Sequence, residues 1–160
     1  PDRDDVLAVI VGSGPLRDDI SRRLAASPVP DRFRFLAESV DARFARGVLA
    51  TAAVVAVPSR FEGLGLVPIE AMLLGTPVVA AAHSGLLDVV EHERSGLLFP
   101  PGSPDALAEA VGRLLEDDEL ASQLITGGMN RARSAFSVER IASLWETFYR
   151  DTLEHSKERR

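Results

Sequence analysis

Ala52-Ala53-Val54-Val55-Ala56-Val57-Pro58-Ser59-Arg60-Phe61-Glu62-Gly63-Leu64-Gly65-Leu66-Val67-Pro68-Ile69-Glu70-Ala71-Met72-Leu73-Leu74-Gly75-Thr76-Pro77 carries three patterns in succession. The run Ala52–Val57 is short, unbroken and apolar, which is how a parallel strand buried on both faces reads. A polar turn with a Gly-x-Gly core follows. From Pro68 to Leu74 the pattern predicts a helix that closes on Gly75. A strand's carboxyl end therefore meets a helix amino end here, the usual ligand position in an open α/β sheet.

Working outward, the same alternation continues. Val6–Val11 is an apolar strand, and Pro15–Ala26 a helix whose Pro15 suits the first turn. Phe33–Leu36 is a second strand, Asp41–Ala50 a helix, Val78–Ala81 a fourth strand, and Gly96–Phe99 a short strand after a turn. Strands alternating with helices imply a Rossmann-like α/β fold: a parallel sheet with right-handed crossovers and helices on both faces. Three helices close the chain. Ser103 caps the first, with Pro104 at its opening position. The second spans about Glu119 to Ala135 and is expected to be interrupted at Gly127-Gly128. The third follows Ser137 and carries Ile141, Leu144, Trp145, Phe148 and Tyr149, a stripe that reads as core packing.

The chemistry concentrates in the opening segment. A Gly-x-Gly turn at a strand end leaves the N–H groups of Gly63, Leu64, Gly65 and Leu66 free. Unsatisfied donors and partial positive charge at a helix mouth favour an anion, typically a phosphate. Glu62 and Glu70, eight positions apart, would repel phosphate. They suit neutral hydroxyls, which donate strong hydrogen bonds to an ionised carboxylate. A phosphate flanked by polyols describes a nucleotide sugar.

Composition bounds the alternatives. The chain has 160 residues, 46% of them hydrophobic, enough for one domain of ordinary size. No apolar stretch is long enough to span a bilayer, and neither end shows a targeting motif, so a cytoplasmic protein is expected. With no cysteine and three scattered histidines (His83, His92, His155), no metal site or cofactor is implied. A net charge of −6 speaks against a nucleic-acid partner.

The string Pro58-Ser59 … Glu62-Gly63-Leu64-Gly65-Leu66 … Ile69-Glu70-Ala71-Met72 … Gly75-Thr76-Pro77-Val78-Val79-Ala80 resembles the donor-site signature of the family 4 retaining glycosyltransferases. Val9–Pro15, Phe33–Leu36, Gly85–Val90 and Ser95–Gly102 are similar to further segments of that family, in the same order. The resemblance implies one half of a GT-B fold, in which two Rossmann-like domains face each other across a cleft. It implies a donor-binding half that moves a sugar from a nucleoside diphosphate to an acceptor hydroxyl with retention.

In that reading Glu70 would bind the ribose hydroxyls, and Glu62 a sugar hydroxyl near the reacting carbon. The amides of Gly63 to Leu66 would hold the diphosphate and sugar. Glu38 and Ser39 would flank the nucleobase, although the family has glycine where Ala37 stands; the pair also reads as a plain helix cap. The family's first strand and helix, an upstream Arg and Lys that balance the diphosphate, and the acceptor-binding domain are expected to lie outside this chain. Arg17 and Arg60 are the nearest cations within it. The expected partners are the nucleotide-sugar donor and that acceptor domain, which leaves peripheral membrane association through the acceptor domain open. The final helix of such enzymes crosses back to the other domain, so part of its aromatic stripe would be interdomain surface. Alone, the chain is expected to bind donor weakly and turn nothing over. Three alternatives stay open: a non-catalytic nucleotide-sugar-binding module, a nucleotide-sugar epimerase of GT-B fold, and a Rossmann-like domain that binds some other phosphorylated ligand.

Overall fold

A computed structural model describes residues 5–38 and 40–158 of the chain. It resolves into two compact units, Pro1–Ala45 and Arg46–Arg160. The fold class is the expected one, mixed α/β with parallel strands.

The first unit is a single βαβ crossover. Strand β1 (Ala8–Val11) pairs in parallel with β2 (Phe33–Leu36), Ala8 opposite Phe33 and Val11 opposite Leu36. Helix α1 (Arg17–Ala25) and a 3-10 turn at Pro30–Arg32 join them. Pro15 lies just before the cap residue Leu16 and not inside the helix. Asp18 and Asp19 sit in the first turn of α1 and Arg22 and Arg23 in its last, matching the helix dipole. None of the described residues of this unit is fully buried, so the core belongs to the second. Helix α2 (Ala42–Thr51) runs across the boundary, and Asp41 caps it: its Oδ1 accepts from Phe44 N–H at 2.7 Å.

In the second unit, β3 (Val55–Val57), β4 (Val78–Ala81) and β5 (Leu97–Phe99) form a parallel sheet in that order. Central β4 is buried along its whole length, which accounts for its unbroken apolar sequence. The strand expected from Ala52 starts only at Val55. Its partner arrives there: Val55 N–H donates to Pro77 O and Val55 pairs with Val78. Ala52 N–H closes the end of α2 on Val48 O, and among the described residues no strand pairing reaches Ala52–Val54.

Helix α3 (Leu66–Leu73) begins two residues earlier than expected and buries Pro68, Ile69, Ala71 and Met72 against β3, β4 and a later helix. Gly75, at φ 77°, ends it in a Schellman turn, with Thr76 N–H donating to Ala71 O and Gly75 N–H to Met72 O. The buried Thr76 hydroxyl donates to Leu49 O at 2.8 Å, joining the end of α2 to the entry of β4. A single helical turn, α4 (Leu86–Val89), follows β4.

Helix α5 (Pro104–Glu116) opens as expected, Ser103 Oγ accepting from Ala106 N–H. Asp117 ends α5 and caps α6 (Asp118–Phe136) through Leu120 N–H. The expected break at Gly127-Gly128 does not occur; α6 runs straight through. The glycines are there for contact. A Cβ on Gly127 would collide with Arg94 O, and one on Gly128 would press on Met72 and Ser95 O. A tight turn, in which Ser95 N–H donates to Glu91 O and Glu93 N–H to Gly96 O, thus lies directly on the helix backbone.

Helix α7 (Val138–Glu158) corrects a second expectation. Its aromatic stripe is not core: Trp145, Phe148 and Tyr149 are 54%, 58% and 60% exposed. The rings pack on one another, with Trp145 stacked on Tyr149 at 5.7 Å and edge-on to Phe148 at 5.8 Å.

Two tests follow from these contacts. Alanine normally stabilises a helix interior relative to glycine, and Gly112→Ala in α5, with open space around it, should gain about 0.5–1 kcal/mol. Gly127→Ala should instead lose about 1–3 kcal/mol through overpacking, both read from urea melts. Arg113 of α5 lies 3.0 Å from Glu93 of the same turn, and its hydrogen bond and charge, with His92 adding to the field, hold the Glu93 carboxyl below its ordinary value of 4.5. That interaction stabilises the fold above pH 4.5 and is lost as acid titrates the carboxylate below it. Carbonyl NMR titration should show the Glu93 midpoint rising towards the ordinary value in Arg113→Ala.

Candidate functional site

The chain leaves β3 at Val57, turns through Ser59–Gly65 and enters α3 at Leu66. Two contacts shape this turn. Gly65 stands at φ 82°, in the left-handed region that favours glycine, and caps α3 with no side-chain bond. A Cβ there would also lie 3.0 Å from Leu86 Cδ2 and 3.2 Å from Pro68 Cγ, so fully buried Leu86 supports the turn from beneath. The second contact is Gly85, whose N–H donates to Glu62 O at 3.1 Å. A Cβ on Gly85 would overlap the Gly63 carbonyl. The loop after β4 is thereby locked to the turn after β3, main chain on main chain.

This clamp leaves the turn's outward groups unspent. Among the described residues, the N–H groups of Gly63, Leu64, Gly65, Leu66 and Val67 meet no main-chain or side-chain acceptor. Pro68, third in the helix, has no N–H to satisfy. Such a mouth is electropositive and rich in donors. Glu62 is half-buried on the turn, its Cγ near Gly65; Glu70 is exposed one helical turn inside α3. Neither carboxylate has an ion pair or side-chain hydrogen bond among the described residues, and neither does exposed Arg60. Free donors and free carboxylate acceptors therefore occupy one connection.

Glu62, Gly63, Leu64, Gly65, Leu66 and Glu70 thus share a single β3–α3 passage. Glu38 is exposed in the first unit, just past β2, and Ser39 lies outside the described residues. The helix cap that this pair could have supplied comes from Asp41. Arg17 is at the start of α1 and lines an open cleft of about 310 Å³ in the first unit, with Ser21, Phe33 and Phe35. His83, weighed in the sequence only as a metal ligand, and Ser84, not singled out there, precede the clamping Gly85. Their signal was available: a polar pair and a glycine directly after the apolar run of β4, the same strand-end position as the turn after β3. No helix of the described residues is long and apolar enough to cross a membrane.

A GT-B glycosyltransferase is the class that this architecture matches. A sucrose-phosphate synthase from Thermosynechococcus elongatus superposes with a TM-score of 0.79 at 36% identity, over 92% of this chain and 38% of that one. Anabaena HepE in complex with UDP-glucose superposes with a TM-score of 0.81 at 28% identity, over 92% of this chain and 42% of that one. The family model described as glycosyl transferases group 1 matches residues 1–131, and the chain belongs to that family. A D-inositol 3-phosphate glycosyltransferase of Salinispora tropica is 37% identical over 158 residues, 94% of this chain and 32% of the relative. A Thermus thermophilus glycogen synthase is 38% identical over 143 residues, 89% of this chain and 31% of the relative. The chain spans about a third of the length of these curated relatives.

The clamp predicts an ordered sensitivity among the turn glycines. Gly63→Ala, with nothing near its Cβ, should leave the melting midpoint unchanged. Gly65→Ala should lose about 1–2 kcal/mol for its left-handed backbone alone, and Gly85→Ala about 1–3 kcal/mol for overpacking against main chain, in thermal or urea melts.

Proposed function

We propose that this chain is the donor-binding half of a retaining glycosyltransferase, which moves a sugar from a nucleoside diphosphate to an acceptor hydroxyl in the cytoplasm. One observation carries the reading. A row of unengaged amides, Gly63 to Val67, adjoins two unengaged carboxylates, on a turn held rigid from behind. The amides would grip the diphosphate. Glu70 would accept from the ribose hydroxyls, and Glu62 from a hydroxyl of the transferred sugar close to its anomeric carbon. Relatives support the ligand class: HepE is described in complex with UDP and with UDP-glucose.

The chemistry follows from where charge develops. The bond from the anomeric carbon to the diphosphate oxygen breaks, the diphosphate leaves with the electron pair, and positive charge builds on the sugar. The acceptor oxygen closes the new bond on the same face and passes its proton to the departing phosphate oxygen. Fixed N–H donors stabilise the departing phosphate without reorganising at that moment. A carboxylate at Glu62 stabilises the sugar's growing positive charge, and holding both parts of the donor in register lowers the entropic share of the barrier. No residue of this chain needs to bridge a metal to the phosphates in this scheme. The acceptor would be bound by a second domain, so this chain alone would retain donor binding and lack transfer.

Calorimetry on the full-length protein, with UDP, GDP and ADP and their glucose conjugates, tests the assignment. Glu70→Ala should weaken every nucleotide that binds by about 1–3 kcal/mol, the loss of a charge-assisted hydrogen bond. Glu62→Gln should leave the nucleoside diphosphate almost unaffected and slow transfer by roughly 10²–10³-fold, as for loss of one electrostatic transition-state contact. Unchanged binding of every nucleotide in Glu70→Ala would remove that residue from the site.

A further inference from the structure

Central β4 ends beside β3, and the loop after it, Ala82–Gly85, is strongly constrained. Ala82 N–H donates to Phe99 O at 2.8 Å, His83 N–H to Ala81 O at 2.8 Å, and Gly85 N–H to Glu62 O at 3.1 Å. Ser84 sits between these anchors at φ 49°, a left-handed conformation that any residue but glycine adopts at a cost. Glycine would relax this position, yet the chain places a hydroxyl there. His83 Nδ1 is hydrogen-bonded to Ser84 Oγ, and the imidazole is exposed. No other contact of the described residues engages its Nε2. The pair is therefore an imidazole–hydroxyl unit, held one residue from the contact that fixes Glu62 and Gly63.

Its chemistry complements that of the neighbouring carboxylate. Glu62 can only accept hydrogen bonds, whereas an imidazole and a hydroxyl each donate or accept according to how the shared proton lies. A sugar ring offers hydroxyls that do both. We infer that His83 and Ser84 are specificity-determining residues that touch hydroxyls of the transferred sugar, across from Glu62. This rests on the donor-site reading above. It adds a second wall to the sugar position, built from the β4 loop and not from the β3–α3 turn.

The test uses the full-length protein with Ser84→Gly, which removes the hydroxyl and relaxes the backbone, and with His83→Ala. The ligands are UDP, GDP and ADP, each alone and as its glucose, mannose and N-acetylglucosamine conjugate. Wild-type protein that binds none of them overturns the donor-site reading, and this inference with it. Where a nucleoside diphosphate binds, both variants should keep its Kd within about twofold and weaken the best conjugate roughly five- to tenfold, the scale of one hydrogen bond. They should also narrow the ranking among the three sugars, and Ser84→Gly should melt no lower than wild type. Equal loss for diphosphate and conjugate, or no loss for either, overturns the role of this pair while leaving Glu62 and Glu70 in place.

Discussion

The hydrogen bond from Gly85 N–H to Glu62 O is the contact on which the candidate site depends. It joins two loops that lie far apart in sequence through their main chains, and the absence of a Cβ at Gly85 is what allows the approach. With the carbonyl of Glu62 held from behind, the following peptide groups must present their N–H sides elsewhere. Leu86, wholly buried, fills the space beneath Gly65 and stops the turn from collapsing inward. The free donors are thus a consequence of packing. They are left over because the clamp at Gly85 and the packing of Leu86 beneath Gly65 hold the turn from its inner side.

The same device recurs at the other face of α3. Met72 is buried against Gly128 of α6, and the turn around Arg94 rests on Gly127. Arg131, one turn further along α6, reaches Asp88 O at 2.7 Å and Glu91 at 3.1 Å, tying α4 and the following turn to the helix. The elements around β4 therefore hold together by backbone-to-backbone and backbone-to-guanidinium contacts as well as by apolar packing. Such a frame tolerates little displacement, which suits a site whose ligand contacts are main-chain amides.

Much of this was legible in the chain because local signals and global packing agree. β4 spans the residues its apolar run marks, Ser103-Pro104 opens α5, and Gly75 closes α3. The strand-turn-helix passage with Glu62 and Glu70 could be located because glycine spacing and paired acids are local features. The misreadings of α6 and β3 share one cause: a partner distant in sequence. Gly127-Gly128 looks like a helix break until Arg94 is seen against it. β3 is shortened by where β4 arrives, and the register of that pairing is not written in Ala52–Val54. His83 and Ser84 stand at a strand end that the sequence marks, but their nearness to Glu62 comes from the contact of Gly85 with Glu62. The stripe on α7 has core-like residues and helical spacing, but periodicity says which residues share a face, not what covers it.

That stripe has an optical corollary. Trp145 is the only tryptophan in the chain, it is half-exposed, and it stacks on Tyr149. Intrinsic emission excited at the red edge therefore reports the environment of α7 and is blind to the sheet that carries the turn. Any surface that settles over those rings would shift the colour of the emitted light, whereas opening of the β3–β4 loops would pass unseen. Spectroscopists following this molecule would be watching its last helix.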